Sequence, residues 1–168
     1  TCQDPLQIKA AVNGVKQATA ARQKDDAATP RTPIMVQVTV ETTGTLLVGA
    51  DIAAAATAIE ALGVDMLGLN CATGPQEMAE HVKWLSENWT KPISLQPNAG
   101  LPELVDGAPY YPLQPAEMAD WLRRFLKEDG PNLIGGCCGT DALNVQEEVS
   151  VVKANLGQEG AEAGWLSA

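Results

Sequence analysis

The sequence predicts an α/β protein built on a parallel β-sheet. Four short and almost continuously apolar segments begin near residues 34, 66, 93 and 133, and segments with helical periodicity separate them. Strands that are apolar on both faces are typical of parallel sheets covered by helices. No dinucleotide-binding or P-loop motif follows any of these strands, which argues against a nucleotide-binding sheet. Four βα units are half of an eight-stranded (β/α)₈ TIM barrel, and the second half of such a barrel is the predicted architecture.

The first predicted elements are a helix, a strand and a second helix. The opening helix follows Pro5 and has apolar residues at helical spacing, namely Ile8, Ala11, Val12 and Val15. A polar stretch over 24–33 leads into a β-branched strand over 34–40. Asp51 is a candidate N-cap for the next helix, and Gly63 is a candidate end.

The remaining units repeat this order. A strand is predicted over 64–71, a helix opening at Gly74-Pro75, a strand over 91–100, a helix from Pro115 and a strand over 132–139, with a loop over 101–114. A closing helix is predicted to bury the apolar stripe Val145, Val149, Val152 and Leu156. The expected domains are therefore a C-terminal half barrel over 1–156 and a linker over 157–168 that leads to a further domain.

Composition excludes several classes of protein. The net charge of −10 disfavours a nucleic-acid partner, which requires a positive surface. No apolar run approaches the roughly 20 residues that span a bilayer, and the first residues lack the pattern of a signal peptide. A cytoplasmic location is therefore expected, where the four cysteines would stay reduced.

The cysteines and one asparagine follow consecutive predicted strands. Cys71, Asn98 and the Cys137-Cys138 pair all fall at the carboxyl ends of strands, the face on which parallel barrels place their active sites. Three thiolates with one further ligand make a tetrahedral zinc site. Because C-x-x-C spacing is absent, an open catalytic site is favoured over a closed structural one.

This ligand set favours a particular chemistry. Three thiolates on Zn²⁺ give a net charge of −1, which makes a poor activator of water but still deprotonates a bound thiol. Alkyl transfer to sulfur is therefore the predicted reaction. Alternatives from the residues alone are a buried or redox-active pair for Cys137-Cys138, and a simple turn cap for Asn98.

Three motifs carry a resemblance to a known family. The segments GLNCATGP (68–75), PNAGLP (97–102) and IGGCCGT (134–140) closely resemble the homocysteine S-methyltransferase domain. The segment VTVETTGTLLVGADI (38–52) is similar to the form of that domain in cobalamin-dependent methionine synthases.

The resemblance implies a fold, a reaction and a set of residues. It implies a (β/α)₈ barrel with Zn²⁺ on Cys71, Cys137 and Cys138, which are also the catalytic residues, and with Asn98 as a fourth ligand that homocysteine displaces. Expected substrate-binding residues are Asn70, Asn98 and Gly136. The homocysteine thiolate would take the methyl group of methylcobalamin, giving methionine. The implied partners are the cobalamin-binding and methyltetrahydrofolate-binding domains of a larger protein.

Two other functions remain open. A cobalamin-independent homocysteine S-methyltransferase would take its methyl group from betaine or S-methylmethionine. A non-catalytic zinc-binding module would keep the metal site without a substrate pocket.

Overall fold

The computed structural model describes residues 1–156, and the linker predicted over 157–168 lies outside this part of the chain. The described elements, in chain order, are α1 (Pro5–Asp25), β1 (Met35–Val38), α2 (Ile52–Glu60), β2 (Met66–Asn70), α3 (Pro75–Asn88), β3 (Ile93–Gln96), β4 (Glu103–Val105), β5 (Ala108–Tyr110), α4 (Pro115–Glu128), β6 (Leu133–Ile134) and α5 (Ala142–Leu156). Among these, no helix has the length and apolar character needed to cross a membrane.

The main sheet has four parallel strands in the order β1-β2-β3-β6. This confirms the predicted α/β class with a four-stranded parallel sheet. The pairing of β3 with the edge strand β6 is short, with only Ser94↔Leu133 and Leu95↔Ile134 in register. On the free side of β1, Cys2 forms an isolated parallel bridge with Val38, with its backbone N–H donating to the Gln37 carbonyl at 3.0 Å.

The helices begin where the sequence indicates. The Asp51 side chain accepts from the Ala54 N–H at 2.7 Å and caps α2. Helices α3 and α4 both start with proline in the first turn, where a missing N–H costs nothing. Each carries a glutamate three residues after its N-cap residue. The glutamate carboxylate accepts from the N–H of that residue, so this N–H has a hydrogen-bond partner in both helices.

The two faces of the sheet differ in polarity. Leu67, Leu69 and Leu95 are fully buried, on the face that meets the helices. Because side chains alternate along a strand, the intervening residues point to the other, inner face. There Gln37 Nε2 donates to Gln96 Oε1 at 2.7 Å, so the lining of this sheet is polar.

The predicted loop over 101–114 contains a β-hairpin, so the loop prediction was wrong there. Strands β4 and β5 pair antiparallel through Asp106 and Gly107, whose φ angles are 52° and 79°. Two successive left-handed residues make the type of turn that fits the twist of a two-residue hairpin. The Asp-Gly pair is itself a sequence signal for this turn, but both strands are exposed and lack the alternating pattern of a half-buried strand.

The buried side of α5 also differs from the prediction. Asn144, Glu148 and Val151 are buried, whereas the predicted stripe residues Val145 and Val149 are only half-buried. The helix packs mainly against α4. Because β6 is only two residues long, the valine face of α5 meets little sheet to pack on.

Candidate metal centre

Cys71 follows β2 in an unusual backbone conformation. Both Cys71 and Ala72 have positive φ, at 62° and 60°, a region that non-glycine residues occupy at a cost of about 1 kcal/mol or more each. The turn is held by the Cys71 N–H, which donates to the Gln96 carbonyl at 3.1 Å, and by the Thr73 N–H, which donates to the Cys71 carbonyl at 2.8 Å. Two strained residues in a row are typical of a functional position.

The Cys137-Cys138 pair is held by the loop that follows β3. The Cys137 N–H donates to the Pro97 carbonyl at 2.8 Å, and the Cys138 N–H donates to Asn98 Oδ1 at 3.1 Å. In return the Ala99 N–H donates to the Cys138 carbonyl at 2.9 Å. These bonds fix the backbone of two adjacent cysteines against a neighbouring strand end.

A tight turn directs both thiols of the pair to one place. Thr140 donates to the Cys137 carbonyl through its hydroxyl at 2.6 Å and through its N–H at 3.2 Å. Gly139 has a φ of 78°, which closes the turn. A side chain at Gly136 would lie 2.4 Å from the Thr140 methyl carbon, so this turn has room only for glycine there.

The three sulfurs form a cluster. Cys71 Sγ and Cys138 Sγ are 3.7 Å apart, and Cys137 Sγ and Cys138 Sγ are 3.9 Å apart. All three lie within 4.8 Å of one another, although Cys71 and Cys138 are 67 residues apart in sequence. A tetrahedron with Zn–S bonds of about 2.3 Å has S···S edges of about 3.8 Å. The spacing of the sulfurs therefore fits a zinc ion.

The environment of Cys137 disfavours a free thiolate. Burial, together with the neighbouring thiols of Cys71 and Cys138, raises its pKa from 9.0 to about 11. The protonated thiol is thus the stable form near neutral pH, and only a strong positive charge in the cluster would remove its proton.

The two predicted asparagines lie beside the sulfurs. Asn98 is buried, and its Oδ1 accepts from the Cys138 N–H, so its amide borders the cluster. Asn70 Nδ2 lies 4.0 Å from Cys137 Sγ, and its Oδ1 is buried without a hydrogen-bond partner in the described part of the chain. The roles of Asn70, Asn98 and Gly136 in binding homocysteine or zinc stay predictions.

The sequence analysis did not predict Tyr111 or a pair of glutamines on the inner face of the sheet. A Cβ on Gly139 would lie 2.3 Å from Tyr111 Cγ, so the Tyr111 ring packs directly on this glycine. Burial, followed by contact with the Cys138 thiol, raises the pKa of Tyr111. The inner-face pair Gln37 and Gln96 was also missed, although polar residues within the otherwise apolar strands 34–40 and 91–100 were a signal.

The fold and the cluster define a class of protein. A parallel sheet flanked by helices gathers three thiols at the carboxyl ends of its strands, from β2 and from the segment after β6. These three thiols on an α/β scaffold could together hold a metal ion.

Comparison with known proteins identifies the family. The model of the homocysteine S-methyltransferase family matches residues 1–151. This chain belongs to that family. It is 51% identical over 152 residues to a methionine synthase of Mycobacterium leprae, a match that covers 90% of this chain. It is also 51% identical over 156 residues to a methionine synthase of Mycobacterium tuberculosis, covering 93% of this chain. The matched region is 12% of the length of each of these relatives.

Proposed function

We propose that this chain carries the zinc centre for methyl transfer to homocysteine, which yields methionine. The observation that carries the proposal is the sulfur cluster. Two of its S···S distances, 3.7 Å and 3.9 Å, fit a tetrahedral zinc–thiolate site in a chain of the homocysteine S-methyltransferase family.

Cys71, Cys137 and Cys138 are proposed to hold the zinc ion, and Asn98 to be the fourth ligand. The Asn98 amide oxygen has a second lone pair beyond the one used by the Cys138 N–H. Bound zinc would supply the positive charge that keeps a coordinated substrate thiol deprotonated at neutral pH. The Cys137 N–H donates to the Pro97 carbonyl and the Cys138 N–H donates to Asn98 Oδ1, and these bonds hold the pair of thiols ready for the ion, so little reorganisation is needed.

The substrate's amino-acid part is proposed to lie over the polar inner face. Asn70 Oδ1 is buried without a partner and would accept a hydrogen bond from the amino group of homocysteine. Gly136 lies in the turn that carries the two thiols, where a larger residue would displace Thr140. Because Gln37 and Gln96 already bond to each other, they would line this pocket without competing for the metal.

The wider assembly is also a proposal, which the much greater length of the relatives supports. We propose that residues 1–156 are the C-terminal half of a (β/α)₈ barrel, and that 157–168 link it to a further domain. The parallel bridge of Cys2 to the free side of β1 supports the continuation of the sheet beyond four strands. The proposed methyl donor is methylcobalamin, held by another domain of the same protein. The alternative methyl donors are betaine and S-methylmethionine. The alternative function is that of a non-catalytic zinc-binding module.

Zinc stoichiometry and zinc X-ray absorption test the proposal. The chain should bind about one equivalent of zinc through three sulfurs and one lighter ligand, and millimolar homocysteine should convert this shell to four sulfurs. Cys71→Ala should abolish stoichiometric binding, whereas Cys2→Ala, a cysteine outside the cluster, should not change it.

Each outcome separates the alternatives. Stoichiometric zinc retained by Cys71→Ala would refute the assigned site. Stoichiometric zinc in the unsubstituted chain, with a shell that does not respond to homocysteine, would favour the non-catalytic module.

A further inference from the structure

Asn70 connects β2 to the thiol of Cys137 across the sheet. It is the last residue of β2, in register with Gln96 on β3. Its neighbour Leu69 is buried against the helices, so the Asn70 side chain points to the opposite, inner face. There Asn70 Nδ2 lies 4.0 Å from Cys137 Sγ, at a sequence separation of 67 residues.

The orientation of this amide is informative. The NH₂ group faces the sulfur, while Oδ1 is buried without a partner in the described part of the chain. An unsatisfied buried carbonyl oxygen costs about 1–3 kcal/mol, so the orientation needs a compensating interaction. A neutral thiol is a weak acceptor, but a thiolate accepts strong, short hydrogen bonds.

No second amide shares this position. Among the described residues, Asn70 is the only one whose side-chain N–H lies within hydrogen-bond distance of any of the three cluster sulfurs. The other polar groups next to those sulfurs in the described part of the chain are the sulfurs themselves, which repel one another as thiolates, and the Tyr111 hydroxyl beside Cys138. Charge on Cys137 can therefore be shared with a side-chain N–H only through Asn70.

We propose that Asn70 is a positioning residue, whose amide N–H donates to Cys137 Sγ when that sulfur is a metal-bound thiolate. This inference rests on the proposed function to the extent that the cluster binds a metal. The hydrogen bond fixes the side-chain rotamer of Cys137 and withdraws negative charge from a site of three thiolates. Partners of this kind, one step removed from a metal, typically change metal affinity 10–100-fold.

Two substitutions and two spectroscopic readouts test this role. Asn70→Ala removes the donor, and Asn70→Asp replaces it with a group of nearly the same shape that only accepts and carries negative charge. Asn13→Ala, on the exposed face of α1, is the matched control. Zinc affinity is measured by competition with a chromophoric chelator. The sulfur-to-metal charge-transfer band is measured after substitution with Co²⁺.

The expected results differ between the variants. Asn70→Ala should weaken zinc binding about tenfold and move the Co²⁺ band to lower energy, because an unbonded thiolate is easier to oxidise. Asn70→Asp should weaken binding further through repulsion, and Asn13→Ala should match the unsubstituted chain. Far-UV circular dichroism of the metal-free proteins checks folding. The near-isosteric Asn70→Asp keeps the comparison available if the alanine variant does not fold.

An affinity at or above that of the unsubstituted chain in either Asn70 variant, or an unmoved Co²⁺ band in Asn70→Ala, would overturn the inference. A zinc shell that ignores homocysteine would count against the proposed function while leaving the Asn70 effect intact.

Discussion

The buried carboxyl group of Glu148 on α5 should make the stability of the chain depend on pH. The Glu148 side chain is buried and its Oε1 has no hydrogen-bond partner in the described part of the chain. Burial raises its pKa from 4.5 to about 7. Between these values the folded chain binds more protons than the unfolded chain, so stability must fall as the pH rises from about 4.5 to about 7 and then level off.

The size of this effect follows from the pKa. A shift from 4.5 to about 7 corresponds to about 3.4 kcal/mol at full strength. Because part of the carboxyl group remains screened by solvent, we expect about 2 kcal/mol. The Glu148→Gln variant cannot ionise. The difference in free energy of unfolding between this variant and the unsubstituted chain should therefore shift by about 2 kcal/mol in favour of the variant from pH 4.5 to pH 8. Comparing two pH values cancels the pH-independent cost of a buried amide.

Urea denaturation from pH 4.5 to pH 8, with chelator present to remove metal, measures this difference. Glu147→Gln, an exposed neighbour on the same helix, is the control. It keeps Glu148, so its stability should follow the same pH dependence as that of the unsubstituted chain. Identical pH profiles for the two variants would refute the assignment of a buried, destabilising carboxylate to Glu148.

Three further outcomes are expected. Gly68→Ala should destabilise the chain by about 2–3 kcal/mol in the same urea assay, because its Cβ would lie 1.8 Å from a side-chain oxygen on β3. Gly14→Ala, with open space around it, should stabilise the chain by about 0.5–1 kcal/mol. Equal effects of the two substitutions would contradict the packing at Gly68. Since the pKa of Cys137 is about 11, zinc affinity in chelator competition should rise at least about tenfold per pH unit between about pH 6 and pH 9, and a flat profile would exclude Cys137 as a ligand. Gly139→Ala should weaken zinc binding, because its Cβ would lie 2.3 Å from a tyrosine ring. Gly130→Ala is the control, since Gly130 has a similar positive φ but open surroundings. Equal zinc affinities of the two variants would show that the ring contact does not support the site.

The parallel sheet and the meeting of the cysteines could be predicted because both depend on local signals. Apolar runs separated by capped helices gave the strands, and parallel strands necessarily bring their carboxyl ends to one edge. Placing Cys71 and Cys137 after two such strands was therefore enough to bring them into one cluster. The left-handed conformation at Cys71 and Ala72 could not be predicted, because neither residue favours it and only the surrounding bonds enforce it.

The two errors have a common origin in tertiary context. The closing helix has an apolar stripe at helical spacing. Which face of the helix becomes buried depends on the length of β6 and the position of α4, and periodicity alone cannot predict these. The hairpin over Glu103–Tyr110 has exposed strands, so burial leaves no alternating pattern in its sequence. Only its Asp-Gly turn was visible in advance.

The shortness of β6 has a consequence for how the centre would lose its metal. This edge strand has only two residues in register with β3, yet the segment that follows it carries two of the three thiols. A short edge strand opens more readily in local unfolding than a central strand, and amide hydrogen exchange detects such opening. The two thiols after β6 are then held only by their bonds to the loop that follows β3. An ion held by Cys71 and by the Cys137-Cys138 pair would bind only the closed form, and so would lower the population of the open one. Metal release and opening of this edge would then occur together, and the rate of amide hydrogen exchange at β6 would report the rate of metal release.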